Sequence, residues 1–386
     1  MATYEWLYVG IALAFLTAWI NGANNAGNVV GVAIGARALN MKKAMLVAAV
    51  FELLGGVLFG ERVSTTLMAH VVDLRRVPAQ MLVAGVLVVL LVTFAWTLVS
   101  TVIKIPVSVS QSVVGGLVGF GIAVAGFSVV AWSKVVEIVA SWFYLPFLSM
   151  AISYLVYKAY TRLASSTSWL KLVVSSCLLV FSATLVMLTL LLAKYAESVG
   201  FLSVLSWSLQ ASLLVSLLYY ALVLRKLSKS RDSSSIRTEV SRHLLLGSCI
   251  AMSLAHGAHD VANTAGPLSI IAYASEHREP LDSAMRIPLE ALLVSALGIS
   301  IGMLTWGYRI IGTIGEKISP LTPEAGFVAQ LSSAIAVVVV VRLGLVSSTT
   351  LAIVGSVLGV GLARGTSYVN FKTVLKIIAT WIIGFP

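Results

Sequence analysis

The chain has 386 residues, of which 59% are hydrophobic and only 11% charged, and its mean hydropathy is +0.99. No soluble domain has interior enough for that proportion, so the excess of 26 Lys and Arg over 15 Asp and Glu marks sides of a bilayer and not a nucleic-acid partner. At about 20 apolar residues per crossing, the composition suits about a dozen spans: an all-α polytopic integral membrane protein.

The first apolar run, 6–35, has no Lys or Arg before it and no small-residue cleavage site, so it is expected to be a span and not a signal peptide. Further apolar stretches follow at 43–60, 80–103, 107–126, 132–157, 169–193, 201–224, 243–275, 285–308, 324–341, 345–363 and 371–386. The segment 225–242 carries Arg225, Lys226, Lys229, Arg231, Arg237 and Arg242 against Asp232 and Glu239, and its Ser-rich middle is expected to form a cytoplasmic loop. Counting from it places both termini outside, Arg37, Lys42, Lys43, Lys158, Arg162 and Lys171 inside, and the acidic loop with Glu276, Glu279 and Asp282 outside. The loop 61–79, with Arg62, Arg75 and Arg76, is the main exception. Cys177 and Cys249 lie far apart in apolar stretches and read as small core residues.

Two motifs recur. Residues 22–31 read G-A-N-N-A-G-N-V-V-G and residues 257–266 read G-A-H-D-V-A-N-T-A-G, 235 positions on. Residues 114–121, V-G-G-L-V-G-F-G, return as V-G-S-V-L-G-V-G at 354–361, 240 positions on. Glu52 and Glu290 stand between the motifs at an offset of 238. In the expected topology the two copies start on opposite sides, so 1–157 and 243–386 form inverted repeats and 158–242 holds an inserted, scaffold-like pair and the basic loop. Inverted halves are what an alternating-access transporter needs.

Gly, Ala and Asn in mid-span are poor helix formers, so both Gly-Asn motifs are expected to break their helices. A broken helix offers N–H groups to an anion, and carbonyls and Asn oxygens to a small cation. The segments P-V-S-V-S-Q (106–111) and V-S-S-T-T-L (346–351) put hydroxyls ahead of the Gly-rich runs, which suits a small tetrahedral oxyanion. Plainer readings exist: hydroxyls bonded to the preceding turn, a G-x-x-x-G packing face, a protonated Glu bonded to a neighbouring helix, interfacial anchoring by Lys104 and Arg342. Repetition in opposed orientation argues against mere packing, and a buried Asp260 carries a functional presumption. His256 and His259, spaced i, i+3 without cysteines, make a weak zinc pattern.

G-A-N-N-A-G-N and A-H-G-A-H-D-V-A-N-T-A-G-P resemble the duplicated signature of the inorganic phosphate transporter family. The hydroxyl segments and the positions of Glu52 and Glu290 are similar to that family's as well. The resemblance implies a cation-coupled phosphate symporter of the cell (inner) membrane, not an enzyme, assembled as a homodimer. It implies substrate contacts from Asn24, Ser108, Ser110, Gln111, Asn263, Ser348, Thr349 and Thr350. Cation binding or coupling falls to Asn25, Asn28, Glu52, His259, Asp260 and Glu290, with sodium at Asn25 and Asp260. This chain departs from the pattern at Asn25, where the family has Asp, and at His259, where Asn is usual. A lost carboxylate weakens a sodium site and a histidine titrates near neutrality, so proton coupling stands beside sodium. Val109, Gln111 and Leu351 also depart from the family's segments, which keeps a sulfate permease as the alternative substrate reading. An intramembrane hydrolase using Ser, His and Asp would not require the motif twice in opposed orientation, and an anion channel would lack tight cation coupling.

Overall fold

The computed structural model describes residues 2–36, 39–164, 169–227, 233–276, 286–311, 321–372 and 374–375. They are helical almost throughout. In chain order the helices are α1 (Ala2–Gly35), α2 (Met41–Phe59), α3 (Glu61–Thr65, continuing as a π-turn over Thr66–His70), α4 (Ala79–Val102), α5 (Val109–Ala125), α6 (Trp132–Ala164), α7 (Trp169–Leu192), α8 (Ala196–Val199), α9 (Phe201–Leu227), α10 (Ser233–Asp260), α11 (Ala262–Glu276), α12 (Leu289–Trp306), α13 (Pro323–Arg342) and α14 (Thr349–Arg364). An isolated antiparallel bridge joins Val72 to Val130 in the loops.

Among the described residues, seven helices are long and apolar enough to cross a membrane, or eight if the pair α2–α3, bent by 60°, counts as one. The four other expected stretches are α5, α14, the α10–α11 run, and 371–386, most of which lies outside the described residues. Helices α5 and α14, with 17 and 16 residues, reach only about 25 Å at about 1.5 Å per residue, short of a hydrocarbon core of about 30 Å. Helix α10 is diluted by its polar motif and passes into α11 at Val261. Counting the hairpins α4–α5 and α13–α14 as two crossings each or as none leaves the side of every later loop unchanged. Of the basic segment, the described residues are helical: α9 runs through Arg225 to Leu227, and α10 begins at Ser233, with 228–232 between them outside the described residues. There Arg242 pairs with Glu239 at 3.7 Å and Ser241 donates to Glu324 at 3.0 Å. Arg37, Lys229, Arg231, Asp232, Glu279 and Asp282 lie outside the described residues, as does most of 371–386.

Of the two Gly-Asn motifs only the second interrupts its helix, and the longer interruptions lie elsewhere. Helix α1 passes through residues 22–31 without interruption, and the second copy is interrupted only by a turn at Val261, whose N–H still reaches the Gly257 carbonyl at 3.3 Å. The longer interruptions are 103–108 and 343–348, just ahead of the hydroxyl segments. Each begins with the same helix stop. Ile105 N–H bonds to Ser100 O at 2.8 Å and Lys104 N–H to Thr101 O at 3.2 Å; Leu345 N–H bonds to Val340 O and Gly344 N–H to Val341 O, both at 3.0 Å. These are the paired bonds of a Schellman motif, whose C′ residue must be left-handed. Lys104 has φ 61° and Gly344 φ 66°, so the two stops match 240 positions apart although only one uses glycine.

Helix α1 packs along α12, and α10 packs between α2 and α13. The closest crossings are made backbone to backbone at glycine. A Cβ on Gly22 would strike the Ile299 carbonyl and one on Gly302 that of Trp19; likewise a Cβ on Gly257 would strike the Glu52 carbonyl and one on Gly55 that of Leu254. Gly22 and Gly257 are 235 positions apart, as are Trp19 and Leu254, while Glu52 and Ile299, and Gly55 and Gly302, are 247 apart. The counterpart of Glu52 in the second half is therefore Ile299. The offset of 238 that pairs it with Glu290 is out of register, and Glu290 is exposed on the first turn of α12. Helix α7 pairs with α9 beside this core. An apolar crevice of about 390 Å³, lined among others by Leu179, Met187, Leu244, Gly247 and Phe327, separates the pair from α10 and α13.

Candidate functional site

Asn21, Asn24, Asn25 and Asn28 recur at spacings of three and four on α1, forming one buried polar stripe. Their amides bond sideways, which explains why the helix survives them. Asn24 Nδ2 donates to Thr101 Oγ1 at 2.9 Å and to Ile105 O at 3.3 Å, while its Oδ1 accepts from Val107 N–H at 3.0 Å. Asn25 Nδ2 donates to Asn21 Oδ1 at 2.7 Å and to Asp260 Oδ2 at 2.9 Å. Asn28 Nδ2 donates to Asn25 Oδ1 at 2.7 Å and to Thr350 Oγ1 at 2.8 Å. Asn24 and Asn28, one turn apart, thus tie α1 to the chain just ahead of α5 and to the first turn of α14.

On α10, His256, His259 and Asp260 are buried with Glu52 of α2. Nδ1 of His256 lies 2.6 Å from Glu52 Oε1, and its Nε2 lies 3.5 Å from Asp260 Oδ2. His259 Nδ1 is 2.9 Å from Asp260 Oδ1, and Ser347 N–H donates to His259 Nε2 at 2.9 Å. Thr349 Oγ1 reaches Asp260 Oδ1 at 3.5 Å, and Asn21 Nδ2 reaches the Asp260 carbonyl at 3.4 Å. Both carboxylate oxygens of Asp260 therefore have protein partners, both ring nitrogens of His259 are engaged, and among the described residues no group of three or more His, Cys, Asp or Glu side chains is arranged to hold a metal ion.

Helices α5 and α14 start inside the protein at Ser108 and Ser348, both extended and buried. The first N–H groups of a helix have no partner within it, so two positive helix ends are presented here. Ser348 Oγ accepts from Leu351 N–H at 3.4 Å. Ser110, Gln111, Thr349 and Thr350 are buried in the first turns. Several buried groups lack a hydrogen-bond partner among the described residues: Ser108 Oγ, Ser347 Oγ, Asn28 Oδ1 and both polar atoms of Asn263. Unpaired buried polar groups of this kind are costly, so those beside the starts of α5 and α14, Ser108 Oγ and Ser347 Oγ, suit a polar ligand.

The residue pattern foretold most of these side chains but not all. Glu290 is absent from the site. Asn21, Thr101 and Gln330 were not foreseen; Gln330 of α13 donates to the Val29 carbonyl, and Trp142 of α6 braces the second break by donating to Val346 O at 3.0 Å. Asn21 was detectable, being one turn before Asn25 in the same stripe; Thr101 and Gln330 sit in apolar runs with nothing to mark them.

A model of the phosphate transporter family matches residues 21–386. The chain belongs to that family. A member from Thermococcus kodakarensis, provisionally designated a phosphate permease, is 35% identical over 99% of this chain and 94% of its own length. The chloroplastic inorganic phosphate transporter 2-1 of Arabidopsis thaliana is 31% identical, covering 98% of this chain and 70% of its own. A solved structure described as the sodium-dependent phosphate transporter superposes with a TM-score of 0.91 at 32% identity, covering 99% of this chain and 96% of its own. This phosphate transporter family member is accordingly a multi-pass membrane transporter, and the intramembrane hydrolase reading falls away. Asn25 and His259 are both bonded to the same carboxylate, that of Asp260.

Proposed function

We propose that the chain takes up inorganic phosphate across the cell membrane by cation-coupled symport with alternating access. The observation that carries this reading is the convergence on one turn of α1 of two helix starts, reached by Asn24 through Val107 N–H and by Asn28 through Thr350. Positive helix ends and hydroxyls suit the anion, while Asp260, Asn25 and the adjoining Asn28 supply oxygens on the cation side. The glycine crossings, repeated at constant offsets, support treating 1–157 and 243–386 as inverted repeats that exchange outward-facing and inward-facing roles.

Phosphate is favoured over sulfate by the free acceptors. Asn28 Oδ1 and Asn263 Oδ1 are buried without a donor. At neutral pH phosphate keeps a P–O–H hydrogen that can satisfy such an acceptor, whereas sulfate has none, and sites built around a ligand hydroxyl reject analogues lacking it strongly. For the coupling ion, the name of the solved relative points to sodium, and the loss of one carboxylate at Asn25 leaves proton coupling as the second reading. The charge distribution supports termini outside and 225–242 at the cytoplasmic face; a homodimer rests on family resemblance.

The test is uptake of labelled phosphate and sulfate into proteoliposomes with sodium and pH gradients imposed separately. Accumulation of phosphate but not sulfate under one gradient is expected. Failure of both anions to accumulate under either gradient refutes symport, and sulfate accumulation refutes the role given to the free acceptors.

A further inference from the structure

We infer that His259 is a positioning residue: a neutral imidazole with its proton on Nδ1 that links the Asp260 carboxylate to the backbone at the break ahead of α14. The tautomer follows from the partners. The amide of Ser347 can only donate, and it lies 2.9 Å from Nε2, so Nε2 carries the lone pair. The ring proton is then on Nδ1, which donates to Asp260 Oδ1 at 2.9 Å. One flat, rigid ring thereby spans from the carboxylate on the cation side to the residue immediately before Ser348, Thr349 and Thr350 on the anion side.

The first half holds the corresponding bond without the corresponding link. Asn24 Oδ1 accepts from Val107 N–H at 3.0 Å. Asn24 and His259 are 235 positions apart, Val107 and Ser347 are 240 apart, and these are the offsets of the two repeated motifs. Capping the free amide at the break is thus common to both halves. Asn24, however, spends its own donor on Thr101 and Ile105 of the same hairpin, and the neighbouring position is the uncharged Asn25. Only the second half joins a break to a carboxylate. His256 does not substitute for the link, since its nitrogens face Glu52 and the other oxygen of Asp260. Occupation of the carboxylate by a cation and occupation of the hydroxyl segment by an anion are therefore mechanically joined through His259. That coupling role rests on the symport reading above, whereas the tautomer and the two bonds do not.

Three measurements separate these statements. Side-chain 15N spectroscopy of the full-length protein labelled at histidine, with the His259 signals assigned by their loss in His259→Asn, is expected to show a neutral ring protonated on Nδ1; an Nε2–H ring or an imidazolium overturns the inference. Amide hydrogen exchange over 343–351 is expected to quicken at least about tenfold in His259→Ala, which leaves the Ser347 amide without an acceptor, and to remain as in the parent in His259→Asn, which restores a carbonyl acceptor as at Asn24. Unchanged exchange in His259→Ala, or equal loss of protection in both variants, overturns it. If His259→Ala does not fold, the spectrum of the unaltered protein still decides. In proteoliposomes, His259→Ala is expected to lose most of the dependence of its phosphate KM on the driving cation and His259→Asn to regain it. Full retention in a folded His259→Ala refutes the coupling role alone, and absence of phosphate uptake by the parent refutes the symport reading while leaving the first two measurements standing.

Discussion

Returning a carboxylate to the first motif by Asn25→Asp tests how the pair at the centre of the site is balanced. Asn25 Nδ2 lies 2.9 Å from Asp260 Oδ2 with both residues buried. The substitution removes a hydrogen bond to a charged group, worth about 1.5–3 kcal/mol, and sets two carboxylates face to face. At a separation of 2.9 Å and an effective dielectric of about 20, their repulsion is about 6 kcal/mol. That is comparable to the whole stability of many folded proteins, about 5–15 kcal/mol, so the variant must take up a cation or a proton between the two oxygens or distort. Thermal unfolding in detergent, measured over a sodium series in a choline background and again over a pH series, reads this directly. The variant is expected to melt well below the parent without sodium near neutral pH and to recover on adding sodium or acid. Sodium at about 100 times its dissociation constant returns about 2.7 kcal/mol. A variant that melts like the parent without sodium, and that neither sodium nor acid stabilises more than the parent, would refute the pairing of Asn25 with Asp260.

Further outcomes follow from single features. Asp260→Asn should abolish cation-driven uptake, and a folded variant with unchanged uptake removes this carboxylate from the coupling. Lys104→Gly should stabilise by about 0.5–1 kcal/mol, because Lys104 occupies the left-handed position that glycine fills at Gly344; a lower melting temperature contradicts the stop described for 103–108. Gly257→Val should prevent recovery of monodisperse protein on size exclusion, since its Cβ meets the Glu52 carbonyl, whereas Gly247→Ala on the same helix, where nothing lies within 4 Å, should be neutral. In the loop before α4, the hydrogen bond from Arg75 holds the Asp73 carboxyl below the usual carboxylate range. A lowered value contributes stability above the ordinary range that is lost as pH falls through the lowered one. Asp73→Asn should thus cost less than about 1 kcal/mol at neutral pH and nothing in strong acid, by denaturation midpoints at the two conditions.

Helix positions were legible because the bilayer fixes the length of an apolar run. The stretches 80–103 and 324–341 return as α4 (Ala79–Val102) and α13 (Pro323–Arg342). The first break was misplaced because composition does not say where an amide points. The three asparagines of the first motif, which by type are poor helix formers, bond to one another, to Asn21 and to neighbouring helices, leaving the α1 ladder intact, and the main stops are set by a left-handed residue that is glycine in only one copy. Glu290 illustrates the limit of matching by identity: a like residue stands at a like offset, while the glycine contacts set the register at Ile299. The polar stripe, Asp260 and the hydroxyl segments were legible because burying such groups is costly enough to demand a reason. Their partners depend on which helices cross, which no periodicity encodes.

The glycine crossings also bear on what can move. Where two backbones touch there is no side chain to change rotamer, so α1 cannot slide along α12, nor α2 along α10, without lifting apart. Any displacement must carry each couple whole. Each couple takes one helix from either half of the chain, so a movement of one half would have to carry a helix of the other with it. A reorientation of one half is transmitted to the other as a lever turns about its pin.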